Sequence, residues 1–146
     1  MRYPRIIAHR CGGALAPENT LAGLGIAARL GCHGVEFDAM LSADGIPMLM
    51  HDETLERTTS GRGRMADLRA SDLPALDAGA SHHRAFAGEP VPTLVQVLDA
   101  CAELGGFFNL RAAASWRLTQ SLLGGTGACS GGLRWGADLQ WLLPLR

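Results

Sequence analysis

An α/β fold built on a parallel sheet is predicted for this 146-residue chain, and three observations predict it. Arg5-Ile6-Ile7-Ala8-His9 is a short apolar run ending in a polar residue, as a buried parallel strand reads. After a break at Cys11-Gly12-Gly13, residues 21–30 place Leu21, Leu24, Ala28 and Leu30 at roughly helical spacing, behind Pro17-Glu18-Asn19-Thr20 with Asn19 or Thr20 as N-cap. Gly31 stops that helix, and Gly34 to Leu41 follows as a second strand. Strand, helix, strand is one βαβ unit, and such units build parallel sheets.

The length fits one domain with a real core. A formal charge of −1 gives no reason to expect nucleic acid or an anionic membrane as partner. No run of about 18 apolar residues exists, so no membrane insertion is expected. Arg2, Arg5, His9 and Arg10 interrupt the start of the chain, which therefore lacks the apolar core of a secretory signal. Cys11, Cys32, Cys101 and Cys129 are scattered without a C-x-x-C pair, which argues against zinc or a disulfide framework and suits a cytoplasmic protein. All 13 basic residues are arginine.

The second strand carries Glu36 and Asp38 at alternate positions, so both point to one face while Val35 and Phe37 point to the other. Two neighbouring carboxylates repel, and a strand that holds them usually has a cation to offset the charge. A solvated edge strand would show the same alternation. Asp44-Gly45 is a hairpin signal between Met40-Leu41 and residues 46–50. With those two residues as the loop, the register sets His51 opposite Asp38, and Pro47 marks an edge or irregular strand.

From Asp52 to Pro92 no period is evident, and about 40 such residues suggest an inserted lobe. Within them, residues 69–76 have room for a turn or two of helix. His82-His83 is read as surface loop, since adjacent side chains point apart and no spaced partner follows. Pro92-Thr93 then caps a helix with Leu94, Val97, Leu98 and Cys101 at i, i+3, i+4 and i+7, ended by Gly105-Gly106. Phe107-Phe108-Asn109-Leu110 starts a further strand. Beyond it the character changes: the last 36 residues hold a single acid, Asp138, and all three tryptophans, and no period stands out.

In a parallel sheet functional groups gather at the carboxyl ends of strands. His9 ends the first strand, Glu36 and Asp38 lie late in the second, and His51 ends the hairpin return. Carboxylates are hard ligands suited to a divalent cation, Mg²⁺ or Ca²⁺. Two histidines beside it would supply acid and base near neutral pH, and Arg10 offers a forked donor for a phosphate oxygen. Taken singly, His9-Arg10 and His51-Asp52 also read as ordinary hydrogen-bonding or turn residues. Their conjunction at one sheet end points to metal-assisted attack on a phosphodiester.

His9-Arg10, Pro17-Glu18-Asn19-Thr20, Glu36-Phe37-Asp38, Asp44-Gly45, His51-Asp52, Leu55-Glu56-Arg57-Thr58 and Pro92-Thr93-Leu94 together resemble the glycerophosphodiester phosphodiesterase family, in its cytoplasmic bacterial form. The likeness covers residues 3–110. It implies the N-terminal part of a (β/α)₈ TIM-like barrel with a small inserted lobe at residues 53–89. It implies His9 and His51 as the acid/base pair, Arg10 on the phosphate, and Glu36 and Asp38 as ligands of Mg²⁺ or Ca²⁺. The reaction it implies is hydrolysis of a glycerophosphodiester to sn-glycerol 3-phosphate and an alcohol.

Two positions depart from the family pattern. Cys11 stands where the family has Gly, which costs about 1 kcal/mol if that position needs a positive φ. Asn109-Leu110 continues as Arg111-Ala112-Ala113 where the family reads Asn-x-Glu-Ile-Lys, so a cation takes the place of the third carboxylate ligand. A whole barrel takes about 250 residues. The expectation is therefore a truncated chain with a divergent, frameshifted tail over residues 111–146, in which Leu133 to Asp138 faintly resembles a later barrel segment. Its exposed sheet edge invites self-association. The alternative to an active enzyme is an inactive remnant with residual ligand binding.

Overall fold

The structure, a computed structural model, describes residues 6–104 and the strand Phe107–Ala112. The expectations for the first five residues, for Gly105-Gly106 and for the tail beyond Ala112 lie outside the described residues. Strand β1 (Ile7–Ala8) leads through a 3-10 turn at Gly13–Leu15 into helix α1 (Leu21–Arg29). Thr20 is the N-cap: its Oγ1 accepts from the Gly23 N–H at 3.0 Å and donates to the Pro17 carbonyl at 2.8 Å. The glycines matter here, because a Cβ on Gly12 would lie 2.9 Å from the Gly23 Cα, and that close approach seats the loop after β1 on the helix. The buried face of α1 is Gly23, Leu24 and Ala27; Leu30 is exposed, beyond the end of the helix, so the apolar stripe turns inward one residue from where the sequence placed it.

Strand β2 (Gly34–Leu41) has the predicted bounds. It pairs in parallel with β1 at Ile7↔Gly34 and Ala8↔Val35, and in parallel with β4 (Phe107–Ala112) from Gly34↔Phe107 to Ala39↔Ala112. Strand β3 (Pro47–Leu49) pairs with it antiparallel from Ala39↔Leu49 to Leu41↔Pro47. Strands β1 and β3 thus follow one another along one edge of β2, and β4 runs along the other.

The hairpin register differs from the expected one by a residue. Ala39 faces Leu49, and the Met50 N–H donates to the Asp38 carbonyl at 3.1 Å, so Met50 and not His51 lies across from Asp38. A two-residue type I′ loop requires positive φ at both Asp44 and Gly45, and only Gly45 (φ 78°) has it. The loop is instead Ala43-Asp44-Gly45, closed by the Ser42 N–H on the Ile46 carbonyl at 3.0 Å and by the Ser42 hydroxyl on Asp44 at 2.7 Å.

Helix α2 (Leu94–Glu103) begins with a capping box in which Thr93 Oγ1 accepts from the Gln96 N–H and Gln96 Oε1 accepts from the Thr93 N–H. Its buried residues are Leu94, Val97, Leu98 and Cys101, the predicted stripe. They meet Leu24 and Ala27 of α1 and Val35, Phe37 and Ala39 of β2 in one core, so both helices cover the same face of the sheet. The other face of β2 carries Glu36 and Asp38.

Between β3 and α2 the chain forms a lobe of 3-10 turns at Met65–Asp67, Leu73–Ala75 and Arg84–Phe86, with isolated bridges Thr54↔Arg64 and Asp77↔Pro90. It has a core of its own, in which Met48 and Met50 meet Leu55, Met65, Leu73 and Val91. The lobe also reaches back to the first helix: Glu89 Oε1 accepts from the Ala22 N–H at 2.8 Å, a carboxylate at a helix N-terminus. His82 and His83 are exposed, as the sequence predicts.

Candidate active site

The loop after β1 is strained where it meets the carboxylates. Arg10 (φ 50°) and Cys11 (φ 70°) both lie in the left-handed region, at roughly 1 kcal/mol or more each. That conformation aims the Arg10 N–H at Glu36 Oε2 (3.0 Å) and the Cys11 N–H at the Glu36 carbonyl (2.8 Å). Cys11 thus occupies a position that favours glycine, and its side chain is fully buried against the sheet. Burial, then the nearby Cys101, Glu36 and Asp38, push its thiol well above the ordinary range.

Glu36 and Asp38 are each 7% exposed. His9 Nε2 lies 3.9 Å from Glu36 Oε2, on a side chain that is largely open to solvent. Asp38 is held by Asn19, whose Nδ2 donates to Asp38 Oδ2 at 3.2 Å while its Oδ1 accepts from the Asp38 N–H at 3.0 Å. Asn19 itself has φ 56° and its N–H donates to the Arg10 carbonyl at 2.8 Å, so it tethers the loop to the strand. The Arg10 guanidinium lies between two acids, with Nε 3.5 Å from Asp38 Oδ2 and Nη1 3.1 Å from both Glu18 oxygens.

His51 makes its contact with its neighbour: Nδ1 is 2.6 Å from Asp52 Oδ1. Arg57, from the lobe, donates from Nε to Asp52 Oδ2 at 2.5 Å and from Nη1 and Nη2 to the two Glu18 oxygens at 2.8 Å each. A continuous path therefore runs His51–Asp52–Arg57–Glu18–Arg10–Asp38. The bond from Arg57, supported by that from His51, lowers the Asp52 carboxyl to about 2. Burial works against ionisation of Glu18, and the Arg57 and Arg10 bonds outweigh it and hold that carboxyl below its usual range. His9, Arg10, Glu36 and Asp38 come together as the sequence predicts, and His51 joins them through this chain.

Glu18, Asn19, Asp52 and Arg57 were not among the predicted site residues. Glu18 and Asn19 read as helix-entry chemistry, and Arg57 lies in a segment without a period. The available signal was their place in short motifs already singled out, Glu18 and Asn19 beside the helix cap, Asp52 beside His51, and Arg57 in Leu55-Glu56-Arg57-Thr58.

Donor chemistry decides whether a divalent cation fits. No set of three or more His, Cys, Asp or Glu side chains placed to hold a metal occurs among the described residues. Two buried carboxylates on one face are nevertheless a sufficient protein share for Mg²⁺, which keeps several waters and takes one or two carboxylates. Charge points the same way. Among the described side chains, Glu18, Glu36, Asp38 and Asp52 against Arg10 and Arg57 leave an excess of two negative charges, which a divalent cation would balance; Arg111, register-matched to Asp38 on β4, stands outside that sum.

His9 and Arg10 beyond the end of β1, the paired carboxylates on β2, and His51 after β3, linked to them through Asp52, Arg57 and Glu18, are equipment for acid–base chemistry on a phosphate ester in a singly wound α/β sheet. The sequence profile of the Glycerophosphoryl diester phosphodiesterase family matches residues 9–110, and the chain belongs to that family. It is 44% identical over 112 residues to glycerophosphodiester phosphodiesterase 1 of Homo sapiens, covering 74% of this chain and 34% of that protein. It is 39% identical over 105 residues to the glycerophosphodiester phosphodiesterase of Caldanaerobacter subterraneus subsp. tengcongensis, covering 72% and 43%. Among solved structures it resembles a phosphodiesterase of Oleispira antarctica in complex with the product sn-glycerol-3-phosphate (TM-score 0.77, 35% identity, 97% of this chain and 54% of that one). It also resembles the glycerophosphodiester phosphodiesterase of Agrobacterium tumefaciens str. C58 (TM-score 0.71, 35% identity, 75% and 47%). The fold is thus the N-terminal part of a TIM-like (β/α)₈ barrel with a small inserted lobe. The chain spans less than half the length of these two curated relatives. No helix among the described residues is long and apolar enough to cross a membrane.

Proposed function

We propose that this site hydrolyses glycerophosphodiesters to sn-glycerol 3-phosphate and an alcohol. The observation that carries the reading is the pair of buried carboxylates on β2, bounded by the His9-Arg10 backbone on one side and by the His51-Asp52 chain on the other. Asp52, ionised at neutral pH, only accepts hydrogen bonds, so His51 carries its proton on Nδ1 and presents Nε2 for proton transfer. His9 is the second proton carrier: one imidazole takes a proton from the attacking water and the other gives a proton to the leaving alcohol oxygen. A guanidinium has five N–H donors, so the contacts of Arg10 to Glu18 and Asp38 do not exhaust it, and it binds a phosphoryl oxygen. Glu36 and Asp38 would hold Mg²⁺ or Ca²⁺, whose chemistry there is Lewis-acid polarisation of the phosphoryl oxygen.

The test is hydrolysis of glycerophosphocholine with and without Mg²⁺ or Ca²⁺. Activity that needs the cation and falls by about 10²–10⁴-fold in His9→Ala and in His51→Ala is the expected result. Metal binding is read separately, as a rise in Tm on adding Mg²⁺ that Asp38→Asn abolishes.

One observation favours a second reading, a remnant that binds ligand without turnover. Arg111 is register-matched to Asp38 on β4. The family resemblance implies a carboxylate ligand there. A folded chain without turnover would support this reading. The free thiols of Cys11, Cys32 and Cys101 support a cytoplasmic setting. Strand β1 pairs only with β2 among the described residues, which supports self-association at that edge, to be read by sedimentation.

A further inference from the structure

We propose that Arg57 is a positioning residue, by which the lobe sets the tautomer of His51 and the orientation of Arg10 together. One guanidinium holds two carboxylates. Its two terminal nitrogens form a fork on Glu18, at 2.8 Å to each oxygen, and its Nε donates to Asp52 Oδ2. Each carboxylate in turn holds a residue of the proposed chemistry: Asp52 Oδ1 is 2.6 Å from His51 Nδ1, and both Glu18 oxygens are 3.1 Å from Arg10 Nη1.

Asp52 divides its two oxygens between Arg57 and His51. A carboxylate turns readily about its last torsion, so without Arg57 the Asp52 plane is no longer fixed and Oδ1 is no longer kept on Nδ1. Arg57 is itself fixed from both sides. Leu55 is fully buried in the core of the lobe, and the Thr59 N–H and hydroxyl bond the Leu55 carbonyl at 3.0 and 2.8 Å, so the backbone around Arg57 is anchored. The Arg57 side chain is 47% exposed, and ion pairs so placed add little to stability. Its value is geometric. Lysine, a point charge without the fork, cannot span both acids in the same way.

The geometric role stands on these distances alone, and its catalytic consequence rests on the reading proposed above. The test is the imidazole ¹⁵N spectrum of the full chain at a pH where histidines are neutral, with the His51 signals assigned from His51→Gln. The unaltered chain is expected to show His51 protonated on Nδ1. In Arg57→Ala and Arg57→Lys the signals should move toward the Nε2-protonated form. The lysine variant keeps the charge and the stem and is read alone if the alanine variant does not fold. A wild-type His51 pattern in the variant overturns the proposal. Where the chain is active, kcat for Arg57→Lys is expected to fall by about 10- to 100-fold. An inactive chain that shows the tautomer shift sinks the proposed reaction and supports the role of Arg57. An active chain whose tautomer is unmoved sinks the role of Arg57 alone.

Discussion

The Asp52 carboxyl is bonded first by Arg57 and then by His51, and lies at about 2 against an ordinary 3.8. A carboxylate depressed on folding adds stability that is complete above its unfolded value and lost as pH falls toward its folded one, so this contribution disappears between about pH 4 and pH 2. Carboxyl ¹³C titration is expected to find Asp52 near the lower figure and to move it up toward 3.8 in Arg57→Ala. Cys11 offers a second prediction. Ala in its place keeps the left-handed strain at φ 70° and loses a fully buried thiol, while Gly relieves the strain and loses the buried Cβ as well as the thiol. Each effect is about 1 kcal/mol. Cys11→Ala and Cys11→Gly should therefore destabilise by a similar amount, about 1 kcal/mol each in urea unfolding, without the extra cost that Gly usually carries over Ala.

At the scale of elements, helix α2 should lose about 1 kcal/mol in Thr93→Ala, which removes the capping box, and about 2–5 kcal/mol in Leu98→Ala, which opens a cavity between helix and sheet. Both are read from denaturant midpoints at constant m. That helix and strand β2 were legible because a buried stripe and an alternating strand each leave a period in the sequence. The hairpin was legible as a turn but not in register: the Ser42 side chain and the positive φ at Gly45 alone go with a three-residue loop, and Asp-Gly by itself does not distinguish it from a two-residue one. The lobe was legible only as an absence of period, since 3-10 turns and single bridges leave none. Asn19 shows why half the site was missed. It reads as cap chemistry, yet Thr20 is the cap and Asn19 bends back to hold Asp38.

Among the described residues, two apolar cores lie to either side of the polar group, one between sheet and helices and one under the lobe. Cys11 and Cys101 belong to the first, and burial pushes the Cys101 thiol up to about 12. Thiolate at those two positions is scarce at neutral pH, and reagent reaches them only when helices and sheet part. Among Cys11, Cys32 and Cys101, peptide mapping after brief alkylation should find Cys32 modified first, with the other two following at the rate of global unfolding. Early labelling of Cys101 would show instead that α2 opens separately.

Strand β2 alternates Val35, Phe37 and Ala39 in the core with Glu36 and Asp38 in the site, and all of its pairing partners among the described residues are fixed by the same backbone. Stability and chemistry are therefore written on a single coordinate. A drift of one residue along this strand would exchange Phe37 for a carboxylate in the core and withdraw the carboxylates from Arg10 in the same movement. Along Val35 to Ala39 every position is committed to one face or the other, so a substitution on this strand reaches either the packing against the helices or the acids beside Arg10.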